Sequence, residues 1–306
     1  MPLARFLQKA LAAALLSILL AGSLVEAALP DTRKVNFSIS LVVENPSSES
    51  SAVTLKTPLL AGEPSPYQEN LATNLGPYWV ETDPEEELGS FKVTVPAGQT
   101  RQVTQTYTLL LKPYSPPKEA PDPLTPEEKD RYLQAQPMIE VENSQIQSLA
   151  KRLVRSTDSP SVKADKILRF VRQKLRYSLS SPAANKGAVA ALEAQSGICT
   201  EYTSLFVALM RASDVPSRIV NGQILLDSKR QPAKGAWKTA ERHQWAEFFD
   251  PEKGWVPVDP TFASSVAASH QTPAYIVENY GDRPTKGSFV GGRVEVSFIY
   301  QVVPTE

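Results

Sequence analysis

The chain has 306 residues, 42% of them hydrophobic, which is enough apolar material for one large domain or two ordinary ones. Its formal net charge of −1 argues against a nucleic-acid binder and gives no field to draw in a polyacidic substrate or an anionic membrane. It holds one cysteine and two histidines, so thiol or imidazole chemistry must run through Cys199, His243 or His270.

The first residues, MPLARFLQKALAAALLSILLAGSLVEAALP, place Arg5 and Lys9 before an apolar run from Ala10 to Ala21. Small residues follow, with Val25 and Ala27 offering cleavage positions. This is the layout of a secretory signal peptide over residues 1–27, with Ala28 as the expected mature start. The run is short for a membrane span. We therefore expect export to a periplasm, a cell surface or the medium, with no membrane association after cleavage. In an oxidising compartment a lone cysteine cannot form an intrachain disulfide, so Cys199 is either inert and buried or a free thiol with a task.

Residues 28–112 read as a β-sandwich-like domain. VNFSISLVVENPSS alternates Val35, Phe37, Ile39, Leu41 and Val43 on one face. FKVTVPAGQTRQVTQTYTLLL gives two more alternating runs about a turn at PAGQ. No chemistry is visible here, and the acidic run ETDPEEE (81–87) reads as a solvated loop that lacks the spacing of a calcium site. Seven prolines in residues 113–137 predict an extended, semi-rigid linker, with a short helix at TPEEKDRYLQ started by Pro126 after Thr125.

After the linker the period changes. NSQIQSLAKRLV and SPSVKADKILRFVRQKLRYSL space their apolar residues at helical intervals, and the segment after Cys199 does so again through Tyr202, Leu205, Phe206 and Leu209. From Ile219 the pattern is β: RIVNGQILL, HQWAEFFD, GWVPVDPTF and GRVEVSFIYQVV. Helices first and strands after predict an α+β domain over 138–306, with helices packed on an antiparallel sheet.

Three motifs carry chemistry. SGICTEYTSLF places Cys199 where a helix begins, among unpaired backbone N–H groups that favour a thiolate and a developing oxyanion. RHQWAEFFDPEKGW places His243 on a strand, and GWVPVDPTF ends the next strand at Asp259. A hairpin through DPEKG puts His243 and Asp259 near the same end of adjacent strands, where a carboxylate can orient an imidazole. The bland alternatives are a buried cysteine, a structural histidine and a turn-capping aspartate.

These motifs resemble those of the transglutaminase-like superfamily in its bacterial exported branch: GICTEY, RASDVPSR, HQWAEFF and GWVPVDPTF stand in the family's order, from about Ser161 to Phe262. The resemblance implies a papain-like core in which Cys199 is the nucleophile, His243 the general base and acid, and Asp259 the orienting carboxylate. It suggests supporting places for Tyr177 and Trp245. Glu247 and Arg218 match family positions and are expected to form a structural ion pair. Glu201 is expected to complement the helix dipole, Trp255 and Phe262 to line core or cleft, and His270 to be a surface or structural residue. No motif implies a cofactor or a metal.

The expected function is thiol-dependent acyl transfer at amide or peptide bonds through a Cys199 thioester, on a protein or peptide substrate, with a cell-envelope component as one candidate. Hydrolysis is the favoured outcome, as in a cysteine protease or amidase. The alternatives are glutamine–amine cross-linking, as in a protein-glutamine gamma-glutamyltransferase, and a non-catalytic surface-binding module.

Overall fold

Strand β1 (Arg33–Glu44) buries Val35, Phe37, Leu41 and Val43 on one side, as its alternation requires. The computed structural model to which it belongs describes residues 32–60, 65–83, 88–281 and 286–305. The expected signal peptide and residues 84–87 of the acidic run lie outside the described residues, while residues 81–83 of that run lie in a strand. No helix among the described residues is long and apolar enough to cross a membrane.

β1 pairs antiparallel with β6 (Thr100–Leu111) and β14 (Glu295–Pro304), and β3 (Gln68–Asn74) completes this sheet in the order β14-β1-β6-β3. A second sheet runs β13-β2-β5-β4, from β2 (Ser51–Pro58), β4 (Trp79–Asp83), β5 (Leu88–Val95) and β13 (Lys286–Gly291). Phe37, Leu41 and Tyr107 of the first sheet share one buried cluster with Leu55, Phe91 and Val93 of the second, which is the packing of a β-sandwich.

The last two strands depart from the boundary expected at residue 138. β14 pairs with β1 from Val35↔Pro304 to Glu44↔Glu295, and β13 pairs with β2. Alternation identifies a strand but carries no record of its partner. Tyr300 and Val302 find cover against the sandwich cluster, so the C-terminus completes the N-terminal sheets.

The helical part begins with α1 (Pro126–Arg131), where Thr125 and Glu128 form a capping box and Pro126 occupies the first turn. α2 (Ser144–Leu153) is capped by Asn143, and α3 (Pro160–Lys174) by Ser159. Two short parallel strands, β7 (Arg176–Tyr177) and β8 (Ser196–Gly197), flank α4 (Ala188–Ala194) and lead into α5 (Cys199–Arg211). The third large sheet is antiparallel in the order β11-β10-β9-β12, from β9 (Ser217–Leu226), β10 (Thr239–Asp250), β11 (Gly254–Val258) and β12 (Tyr275–Tyr280).

This sheet is covered on both faces. Ala246, Phe248, Val256 and Val258 join Leu205, Phe206 and Leu209 of α5 in one cluster, whereas Val220, Ile224, Trp245 and Val277 join the sandwich cluster. Double coverage explains why β12 is buried along its whole length, which a one-sided sheet would not permit. The proline-rich segment joins the two parts and lies on the core. Tyr114 N–H donates to His270 O at 2.8 Å, Ser217 N–H to Tyr132 O at 3.0 Å, and the Arg211 guanidinium to Gln134 O at 2.6 Å.

Candidate active site

Cys199 is the first residue of α5 and is partly exposed. The approach to it is shaped by Gly197 and Glu201. A Cβ on Gly197 would stand 2.3 Å from the Glu201 Cβ, so only glycine lets the chain pass that close. The fully buried Glu201 carboxylate accepts from Ile198 N–H at 3.2 Å and from Lys186 N–H at 3.3 Å. It therefore fixes the helix entrance as well as offsetting the dipole. Thr203 Oγ1 donates to Gln244 O at 3.0 Å and ties the first turn of α5 to β10. The Gln244 backbone N–H also acts on the Cys199 thiol, favouring its ionised form.

The β10–β11 hairpin turns at Asp250–Gly254 and pairs Ala246 with Val258. Asp259 follows that pair and His243 precedes it, so the hairpin brings together two residues sixteen apart. His243 Nε2 lies 2.8 Å from Asp259 Oδ2. With Nε2–H donated to the carboxylate, Nδ1 is the ring nitrogen left for the Cys199 thiol, and the two groups shift each other's ionisation. Opposite His243 on β9 is Gly222, where a Cβ would come within 1.8 Å of Ile276 O.

Burial alone would push the Cys199 thiol up. The hydrogen bond from His243, that residue's charge and the Gln244 N–H outweigh it, and the thiol is held below its ordinary value. Burial would likewise push His243 down, but the Asp259 charge and hydrogen bond, with Cys199, raise it to about 10. Burial opposes ionisation of Asp259 as well, and the charge and hydrogen bond of His243 hold its carboxyl below the usual value. All three shifts favour a thiolate beside an imidazolium and a carboxylate.

The other expected residues fall around this centre. Tyr177 is 49% exposed and its ring centroid lies 6.2 Å from that of Tyr202 in α5. Burial raises its hydroxyl, and the Cys199 charge adds to that shift. Trp245 is fully buried, with its ring centroid 6.1 Å from His243, and donates its indole N–H to Tyr67 Oη at 3.0 Å. Phe262 lies 5.5 Å from His243. Arg218 and Glu247 form the expected buried ion pair at 2.8 Å, and Trp255 lies under the Arg218 guanidinium at 4.1 Å.

Of the surface and structural places expected for His270, it takes the structural one: it is 2% exposed and belongs to the interior. Its ring stacks on Tyr275 at 3.8 Å, and burial pushes its pKa down to about 3. The sequence reading missed Tyr275, Ser269 and Tyr67 altogether. Each acts through a single hydroxyl from a distant stretch of chain, and no local pattern marks such a contact. Among the described residues no group of three His, Cys, Asp or Glu side chains could hold a metal ion.

Residues 147–260 match the sequence profile of the Transglutaminase-like superfamily. A protein-glutamine gamma-glutamyltransferase of Pseudomonas aeruginosa is 29% identical over 126 residues, 39% of this chain and 18% of that protein. An uncharacterized protein of Mycobacterium leprae is 23% identical over 162 residues, 52% of this chain and 56% of its own. The chain thus spans between about a fifth and about half of these two relatives. A solved structure of a candidate cysteine protease from Cytophaga hutchinsonii superposes with a TM-score of 0.58 at 14% identity, over 90% of this chain and 91% of that one, so the fold is shared across both parts. The similarity to the transglutaminase-like superfamily thus lies in residues 147–260 of this chain.

Proposed function

We propose that the protein is an exported thiol enzyme that opens amide bonds through a Cys199 thioester. The observation that carries this reading is the 2.8 Å contact of His243 Nε2 with Asp259 Oδ2, beside a Cys199 thiol that the same His243 holds below its ordinary value. The thiol proton rests on His243, and the thiolate attacks the amide carbonyl. The helix entrance at Cys199 presents backbone N–H groups to the resulting oxyanion. Collapse of that intermediate breaks the C–N bond, and the leaving amine takes the proton from His243. Asp259 keeps the ring aimed and supports its positive form.

The thioester then meets an acceptor. We favour water: Cys199 is partly exposed, and the neighbouring Tyr177 is itself half open to solvent. A water gives one proton to His243 and its oxygen to the acyl carbon, which releases a carboxylic acid and restores the thiolate–imidazolium pair. The second reading is transfer to a primary amine, favoured by the similarity of residues in this domain to the gamma-glutamyltransferase. In that case the amine loses its proton to His243 and forms a new amide. Export is part of the reading and rests on the charged and apolar pattern of residues 1–27. The substrate class is protein or peptide.

The test incubates the wild-type protein and its Cys199→Ala variant with a glutamine-containing protein and a small primary amine under reducing conditions, and weighs the products. Wild-type-only fragments that have gained one water support a protease. An uncut deamidated chain supports a glutamine amidase, and attached amine supports cross-linking. Products that form equally with Cys199→Ala would overturn the thioester.

A further inference from the structure

We propose that Tyr275 is a positioning residue for the Cys199–His243–Asp259 site, its hydroxyl holding Asp259 Oδ2 so that the carboxylate aims the His243 ring at the thiol. The inference rests on the reading of Cys199 as the nucleophile.

Among the described residues, Asp259 accepts four hydrogen bonds, two on each oxygen. Oδ1 takes Thr261 N–H at 2.9 Å and Phe262 N–H at 3.2 Å. Oδ2 takes His243 Nε2 at 2.8 Å and the Tyr275 hydroxyl at 2.9 Å. The backbone donors pin one oxygen through the chain's own turn. The oxygen that faces His243 is pinned by Tyr275 alone, so without it the orientation of that oxygen depends on the ring it is meant to orient.

Tyr275 is built to be rigid. It comes from β12, at the opposite edge of the sheet from β11, which Asp259 ends. Its ring is 4% exposed, stacked on His270 at 3.8 Å and edge-on to Trp245 at 5.3 Å. His270 is held in place by its neighbour, with Nδ1 2.9 Å from Ser269 Oγ, and that oxygen accepts Asp259 N–H at 2.8 Å. The chain therefore returns ten residues after Asp259 and grips both its backbone and, through the His270–Tyr275 stack, its carboxylate. The ionisable groups that act on the thiol and its partner ring, or that they act on, are Asp259 after β11, Tyr275 on β12, His270 before it and Tyr177 on β7.

The experiment measures the rate of Cys199 alkylation by iodoacetamide against pH, together with kcat, KM and the unfolding temperature, for wild type and Tyr275→Phe. Phenylalanine keeps the ring and its stack and removes the hydroxyl alone. The expected result is a reactivity curve moved about one unit to higher pH and kcat about tenfold lower with KM unchanged. A curve that superimposes on wild type while only the unfolding temperature drops would overturn the proposal. So would a move to lower pH, which would mean that the hydroxyl weakens the carboxylate's hold on His243. His270→Asn keeps the left-handed backbone and removes the stack, and is expected to move the curve in the same direction by less; it carries the test if Tyr275→Phe does not fold. Alkylation needs no substrate, so a wild-type thiol as sluggish as free cysteine would refute the functional reading itself, whereas a depressed wild-type thiol unmoved by both variants would refute only the role of Tyr275.

Discussion

The Tyr67 hydroxyl donates to Glu247 Oε1 at 2.6 Å, and so a residue of the sandwich completes a buried carboxylate on β10, the strand that carries His243. The Tyr67 hydroxyl oxygen in turn accepts the Trp245 indole N–H at 3.0 Å. Trp245 and Glu247 stand two and four residues beyond His243 with the same strand parity, so the contact fixes the face of β10 that also carries the imidazole. Tyr67→Phe leaves a buried indole N–H and a carboxylate oxygen without this partner. We expect a loss of about 2 kcal/mol in urea unfolding. A loss below about 0.5 kcal/mol would mean that the sandwich is only an attached neighbour.

The Arg218–Glu247 pair is buried on both sides, with side-chain exposures of 4% and 0%. Arg218→Met removes the guanidinium and leaves the carboxylate in the interior, with an expected cost of about 3–5 kcal/mol. Arg218→Met combined with Glu247→Leu removes both charges, and most of that loss should return. A double variant as unstable as the single one would show that packing, and not the charge, sets the cost.

Asp259 faces four donors with two oxygens. Asn at this position has one acceptor oxygen and an amide group that must point at two of those donors. Asp259→Asn is therefore expected to lower kcat by about 10³-fold with little change in KM. A change under tenfold would remove Asp259 from the catalytic group.

The pH dependence of stability separates the thiol from the imidazole. His243 is raised in the folded protein to about 10, so by itself it contributes stability that is full below its ordinary value of 6.5 and is lost as pH rises toward 10. Cys199 is depressed, so its contribution is full above its ordinary value of 9.0 and is lost as pH falls through the folded value. Between the ordinary values of 6.5 and 9.0, where both charges exist in the folded state, folded and unfolded chains bind the same number of protons and the two slopes cancel. Urea midpoints of the wild type should be nearly flat there, whereas Cys199→Ala should lose stability steadily from about pH 6.5 upward. Parallel curves for the two proteins would contradict a thiolate–imidazolium pair.

The parts of this site that were legible in the sequence are those written in short stretches. The glycine before Cys199, the capped helices and the DPEKG turn between two alternating runs each have a local cause, and the turn alone brings Asp259 to His243. The parts that were not legible depend on long-range closure. Val296, Phe298 and Tyr300 alternate like any strand, yet nothing in them names β1 as partner. His270 sits in a polar loop sequence, and its burial comes from Tyr67, Trp245 and Tyr275, which converge on it from three other segments. The doubly covered sheet was hidden for the same reason: the residues of β9 are apolar on both faces, but which layer covers each face is decided by chain topology.

The central claim is a covalent acyl intermediate on Cys199. The direct measurement is the intact mass of the protein quenched in acid during turnover of an amide or peptide substrate found by product analysis, followed by peptide mapping. The account predicts a substrate acyl group on the peptide that contains Cys199, absent from Cys199→Ala and accumulating when the acceptor step is slowed. Turnover that continues in Cys199→Ala, or that proceeds in the wild type with the acyl group found on another residue, would contradict it.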